Sequence, residues 1–176
     1  LLSYASMPLE ARKLANKCLG RGVLKSVFKG AQEYHLLLKI EAGELVGFGL
    51  YHFEETTMAG ETRLLGIVDI VLVDVASRRQ GYGSEITFSM LRKMSNFGVE
   101  RVEVLVKEPT ALDRDSEPGV PLAAPDAILG LLGFRRVSAL DGYYAADSLR
   151  HRYECGFCGN VPDSCRAVLY AKDSLS

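Results

Sequence analysis

Between Asp69 and Gly98 the chain passes from an apolar strand, Asp69-Ile70-Val71-Leu72-Val73, into the loop Arg78-Arg79-Gln80-Gly81-Tyr82-Gly83-Ser84 and then into a helical pattern. A strand that feeds a glycine-rich loop opening a helix creates an anion site where the elements join. Gly81 and Gly83 let backbone approach a phosphate closely, the first helical amides have no internal partner, and the helix dipole adds partial positive charge there. Arg78 and Arg79 add full charges. Spacing then narrows the ligand. A nucleotide P-loop needs a lysine behind its second glycine, and none follows Gly81 or Gly83. The dinucleotide fingerprint G-x-G-x-x-G begins with Gly81 and Gly83 but meets Ile86 where its third glycine belongs, so that reading is weak.

Length and composition bound the rest. At 176 residues, 48% of them hydrophobic, the chain is long enough for one domain over residues 1–176 and short for two. Lys and Arg number 21 against 22 Asp and Glu, so no basic footprint for nucleic acid is present, and no nucleic-acid partner is expected. No run approaches ~18 apolar residues and no secretory leader opens the chain. The expectation is a soluble intracellular protein, cytoplasmic or nuclear, without a membrane partner. Its oligomeric state is left open.

Taken in order, Ser6 is placed to cap a helix whose apolar residues Ala11, Leu14, Ala15, Cys18 and Leu19 recur at helical spacing, with Gly20 just past its end. Residues 21–32 are less regular. Tyr34 to Glu41 and Glu44 to Glu54 read as strands joined by a tight turn at Ala42-Gly43. Thr56 to Thr62 is polar and small and reads as a loop before a strand from about Arg63 to Val75. Beyond the glycine loop, Ile86, Met90, Leu91, Met94 and Phe97 keep a helical stripe that Gly98 ends. Val102, Val104 and Val106 alternate as a strand. Residues 109–125 hold four prolines without a period and read as an inserted loop, whose Asp113, Asp115 and Glu117 form either a solvated spacer, the preferred reading, or a lure for a cationic acceptor. Asp126 to Leu132 is a short helix, Arg135 to Val137 opens a strand, and Cys165 to Lys172 is the last one.

Arg78, Gly81 and Gly83 form R-x-x-G-x-G after an apolar strand and before a helix. With Leu131-Leu132-Gly133-Phe134 near the C-terminus, this resembles the acetyl-CoA loop and the "lGF" helix ending of the GNAT N-acetyltransferase superfamily. The resemblance implies an α/β (α+β) fold, a mixed, mostly antiparallel twisted sheet flanked by helices. It also implies an acetyl-CoA-dependent enzyme that acetylates a primary amine, a protein lysine or a small cationic amine, by direct attack. Leu72 and Val73 would then hydrogen-bond the pantetheine arm at the strand edge. Arg78, Arg79, Gln80, Gly81, Tyr82, Gly83 and Ser84 would hold the pyrophosphate. The alternative is a catalytically weak acyl-CoA-binding or partner-binding domain.

Direct attack needs a base. Asp69 is the first candidate, because it lies in an apolar strand, read as facing the same side as Ile67, Val71 and Val73, where burial raises a carboxyl pKa. It also stands close to where lysine-acetylating members of the superfamily carry a glutamate. A purely structural pairing of Asp69 stands beside that reading with equal weight. Glu54, Glu55 and Glu103 read as solvated, and His52 as a satisfied core or rim histidine ahead of a catalytic one. For the acid, the resemblance implies a tyrosine four residues before the glycine of "GF", and Leu129 stands there instead. Tyr143, Tyr144 and Tyr153 are the nearby substitutes.

Cys155-Gly156-Phe157-Cys158-Gly159, with Cys165 after it and His151 before it, has the C-x-x-C-G form of half a zinc site. His151, Cys155, Cys158 and Cys165 form a candidate structural zinc set pinning a Cys-rich hairpin over residues 151–165. Reduced thiols are weighed equally, and a disulfide lower. Cys18 is read as core.

Overall fold

A computed structural model describes residues 2–28, 33–58, 60–109, 125–143 and 165–173. In chain order they form α1 (Leu9–Leu19), α2 (Val23–Val27), β1 (Tyr34–Glu41), β2 (Glu44–Met58), β3 (Glu61–Val73), a 3-10 turn (Val75–Ser77), α3 (Tyr82–Asn96), β4 (Arg101–Pro109), α4 (Pro125–Leu131), β5 (Arg135–Leu140) and β6 (Cys165–Asp173). The six strands make one sheet in the order β1-β2-β3-β4-β6-β5. Only the central β3–β4 pair is parallel; the other four ladders are antiparallel. This is the mixed, mostly antiparallel sheet that the resemblance implies. No described helix is long and apolar enough to cross a membrane.

Each face of the sheet carries its own core. On one side, Ala11, Leu14 and Ala15 of α1 and Leu24 of α2 pack on Tyr34, Phe48, Leu50, Ile70 and Leu72. On the other, Ile86, Met90 and Met94 of α3 pack with Tyr51, Val68, Val102, Val168 and Tyr170, and Leu129 and Phe134 join them. Complete burial of each larger aliphatic, Met or Phe side chain among them stabilises the fold by about 1.5–3 kcal/mol, so these two layers supply most of what opposes chain entropy. The α3 layer sits close because β2 carries glycine beneath it. A Cβ on Gly49 would stand 2.5 Å from Met90 Sδ and 2.8 Å from Ile86 Cγ2.

Several local expectations are corrected. Ser6 does not cap α1: the helix begins after Pro8, without a side-chain cap, and the Ser6 hydroxyl instead accepts from the Ser3 amide at 2.8 Å. Thr56 to Met58 and Glu61 to Thr62 are strand, not loop. β2 and β3 stay paired out to Met58 and Glu61, since β-branched threonines suit extended backbone and the ladder satisfies their peptide groups. β3 stops at Val73 rather than Val75, because Asp74 turns the chain by accepting from the Ala76 amide at 3.1 Å. Phe97 lies past the end of α3 and is 61% exposed, off the buried stripe. Cys18 is buried in the α1 layer, as read.

Residues 110–124 and 144–164 lie outside the described residues. The inserted loop is therefore described only at its ends, Pro109 in β4 and Pro125 in α4. The candidate zinc ligands His151, Cys155 and Cys158, and also Tyr144 and Tyr153, lie outside as well. Cys165 opens β6.

Candidate active site

β3 and β4 stay paired only from Leu65–Arg101 to Val68–Val104. Beyond that point β3 continues against β2 as far as Gly47–Val73, while β4 continues against β6 as far as Pro109–Cys165. Two parallel neighbours with other partners on their outer sides part like a wedge. Among the described residues no strand pairs the inner edge of Ile70 to Val73, so its peptide groups are available to an extended ligand. Leu72 is buried and Val73 half-buried there.

The residue at the apex is Asp69. In the β2–β3 ladder Tyr51 pairs with Val68 and Leu50 with Ile70, which leaves Asp69 as the extra residue of a β-bulge. The bulge shifts the alternation of β3. Val68 faces the α3 layer, whereas Ile70 and Leu72 face the α1 layer and Val73 packs on the α3 side. Asp69 keeps the α1 face opposite Val68, where it meets His52, and it is Ile70 to Val73 that change sides, so Asp69 does not share a face with Val73 as strict alternation implies. A bulge does this because one added residue resets the two-residue period for everything after it.

His52 lies in central β2, paired with Tyr34 on one side and Ile67 on the other, and is 5% exposed. Its Nδ1 is 2.8 Å from Asp69 Oδ2, and its Nε2 is 3.0 Å from Glu54 Oε1. The reading of His52 as a satisfied core histidine holds for its burial but missed its partner. Only the period-2 placement of His52, Glu54 and Asp69 hinted that they share a face, and the bulge hid the register. Burial pushes the Asp69 carboxyl up, His52 pulls part of that back through hydrogen bond and charge, and the net direction is upward from 3.8. For His52, burial works against the charged ring, but the hydrogen bonds and charges of Asp69 and Glu54 outweigh it and hold the group above 6.5. Glu103, by contrast, is occupied by Arg101 at 2.8 Å.

The glycine loop closes the wedge at the end of β3. Arg79 (φ 64) and Gly81 (φ 86) both adopt left-handed backbone, and Gly81 is the N-cap of α3. The first helical bond runs from Glu85 N to Gly81 O at 3.1 Å, so the amides of Tyr82, Gly83 and Ser84 have no helical acceptor and face the loop mouth. Gly83 stands in open space: a Cβ there would meet only Val73 Cγ2, at 3.8 Å. Arg78 folds back with Nε 3.5 Å from Val73 O, while Arg79 and Gln80 are exposed. Lys39 of β1 lies 4.8 Å from the Tyr82 ring centroid and bridges to Glu85 at 2.7 Å, which ties the first turn of α3 to the sheet. The loop thus combines unpaired amides with nearby arginines, the character that suits a pyrophosphate.

Leu129 is 8% exposed in the α3-side core, so the position at which the resemblance implies an acid is filled by packing. Tyr143 is exposed just beyond β5.

A mixed sheet split between β3 and β4, with a helix start of unpaired amides at the end of one parted strand, defines an α/β fold with a candidate anion site. The chain belongs to the GNAT family: a model of the Acetyltransferase (GNAT) family matches residues 11–114, and by that membership the protein is an N-acetyltransferase. No curated protein sequence matches the chain significantly. Among solved structures it is similar to an IAA acetyltransferase from Bacillus cereus, at 12% identity and TM-score 0.64 over 98% of this chain and 95% of that one. An acetyltransferase from Bacillus subtilis in complex with CoA is similar at 14% identity and TM-score 0.62, over 95% and 93%. The ribosomal-protein-S18-alanine N-acetyltransferase from Escherichia coli follows at 14% identity and TM-score 0.61, over 98% and 90%. At these identities the likeness is one of fold.

Proposed function

We propose that this protein transfers the acetyl group of acetyl-CoA to a primary amine, a protein lysine or a small cationic amine, with Asp69 as the general base. The observation that carries the reading is the position of Asp69, a largely buried carboxylate in the bulge at the point where β3 and β4 part. The wedge edge at Leu72 and Val73 suits the amide-bearing pantetheine arm. The free amides of Tyr82, Gly83 and Ser84, with the charge of Arg79 beside Gln80 and Gly81, suit the pyrophosphate, and Arg78 braces the loop against Val73.

In this reading Asp69 takes a proton from the acceptor's ammonium group. The amine lone pair then forms the C–N bond at the thioester carbonyl, polarised by a backbone amide of the strand edge. The C–S bond breaks with its electron pair on sulfur, and the proton shed by the new amide nitrogen ends on that sulfur. Leu129 supplies no acid, and a thiol of ordinary pKa near ~8.5 leaves without one. A negatively charged Asp69 beside the exposed Glu54 favours a cationic acceptor.

The test follows release of free thiol from acetyl-CoA over a panel of amines, with Asp69→Asn beside the unaltered protein. Loss of a positioned base lowers the rate by about 10²–10⁴-fold. Full activity of Asp69→Asn, at low pH included, rules Asp69 out as the base. Tight coenzyme binding with no turnover of any amine supports the binding-domain reading, which the buried Leu129 favours.

A further inference from the structure

We infer that His52 is a positioning residue of this enzyme: clamped between Asp69 and Glu54, its ring holds the Asp69 carboxylate ionised and aimed at the acceptor. The inference rests on the reading of Asp69 as base and adds a residue that acts through it.

Hydrogen counting carries the argument. Both ring nitrogens lie within hydrogen-bond distance of a carboxylate oxygen, 2.8 Å at Asp69 Oδ2 and 3.0 Å at Glu54 Oε1. A neutral imidazole has one N–H, so one of the two contacts would set lone pair against lone pair; an imidazolium donates to both. The cluster therefore holds one proton more than a neutral ring and two carboxylates. Ordinary pKa values of 6.5 for the ring and 3.8 for the aspartate place that proton on His52. Asp69 stays charged although buried, with Oδ2 taken by the ring and Oδ1 left for the acceptor's proton.

The geometry keeps the ring from drifting. His52 is in the middle of the sheet with a strand on either side. Tyr34 walls it at 5.1 Å between ring centroids, and the Tyr34 hydroxyl is committed to Val27 O at 2.6 Å. The titratable groups facing His52 are thus Asp69 from β3, Glu54 from β2 and Tyr34 from β1. Fold stability alone does not account for the cluster, because desolvation offsets most of the attraction within a buried ion pair. A base held within a fraction of an ångström of its target has a direct kinetic use.

The experiment measures pH profiles of kcat and kcat/KM for the unaltered enzyme, His52→Gln, Asp69→Asn and the double variant, with CoA-dependent melting shifts to verify folding. The expected result for His52→Gln is a kcat about tenfold lower or less, at unchanged KM for acetyl-CoA, and an acid limb moved to higher pH because Asp69 has lost its cation. In the Asp69→Asn background the same change brings no further loss, since His52 acts only through Asp69. An acid limb that stays in place, or a full additive loss in the double variant, overturns the inference. Full activity of Asp69→Asn overturns the base reading itself and removes the ground for both. Should His52→Gln fail to fold, imidazole ¹⁵N resonances of the unaltered protein and the exposed-end variant Glu54→Gln decide. Two protonated ring nitrogens at neutral pH and a lower titration point in Glu54→Gln support the clamp, and a singly protonated ring that Glu54→Gln leaves unmoved refutes it.

Discussion

Gly83 separates ligand binding from folding by sign. It is the second residue of α3, its φ is not in the left-handed region, and a Cβ there would meet only Val73 Cγ2 at 3.8 Å, an ordinary contact. Gly83→Ala therefore adds a methyl group without strain. It removes backbone freedom from the unfolded chain and favours the helix, which together stabilise the protein by about 0.5–1 kcal/mol. For a chain of this size that raises the melting temperature by roughly 1–4 °C. The same methyl fills open space beside the amides of Tyr82 and Ser84, so a coenzyme pyrophosphate is pushed back and its affinity falls about tenfold, ~1.4 kcal/mol. Melting scans without ligand and titration calorimetry with CoA measure the two effects separately. A lower melting temperature shows that Gly83 serves packing, and an unchanged CoA affinity shows that the loop mouth is not the phosphate site. Either result refutes the reasoning. Gly81→Ala is the control: at φ 86 it strains the cap by about 1–2 kcal/mol whether or not ligand is present.

Gly49→Ala drives a Cβ into Met90 Sδ and Ile86 Cγ2, and α3 must shift; the expected loss is about 1–3 kcal/mol in urea unfolding, with no loss meaning that α3 lies farther from β2. His52 stands above 6.5, so its clamp contributes stability that is complete below that pH and is lost as pH rises through the folded value. The melting deficit of His52→Gln thus narrows as pH rises above 6.5 through the folded value, and a deficit that widens contradicts the clamp. Asp74 lies below 3.8 because Lys17 and the Ala76 amide hydrogen-bond it, so its contribution is present above 3.8 and is lost as pH falls through the folded value. Asp74→Asn accordingly melts below the unaltered protein at neutral pH, and the difference closes as pH falls below 3.8 through the folded value.

The sequence by itself determined those features whose cause is local. An apolar strand, two glycines and the helical stripe after them already specify the strand–loop–helix join, because backbone freedom and helix starts depend on neighbouring residues only. The Ala42-Gly43 turn, the stripe of α1 and the Gly133-Phe134 helix ending were legible for the same reason. Tertiary structure decided what depends on register. Asp69 and His52 are 17 positions apart, and no pattern in either strand shows that one extra residue is accommodated opposite Leu50 and Tyr51. That bulge resets the alternation after Asp69, so Ile70 and Leu72 stand on the α1 face with it while Val73 turns to the α3 side. The parting of β3 from β4 is equally invisible in either segment, because it follows from which outer neighbour each strand keeps. Thr56 to Thr62 was misread as a loop for a related reason: polar residues at a hairpin tip have no core to give them a period, and only the partner strand makes them a ladder. The chain's own residues thus specify the glycine-turned helix start, and the packing of the sheet decides which side chains Asp69 meets.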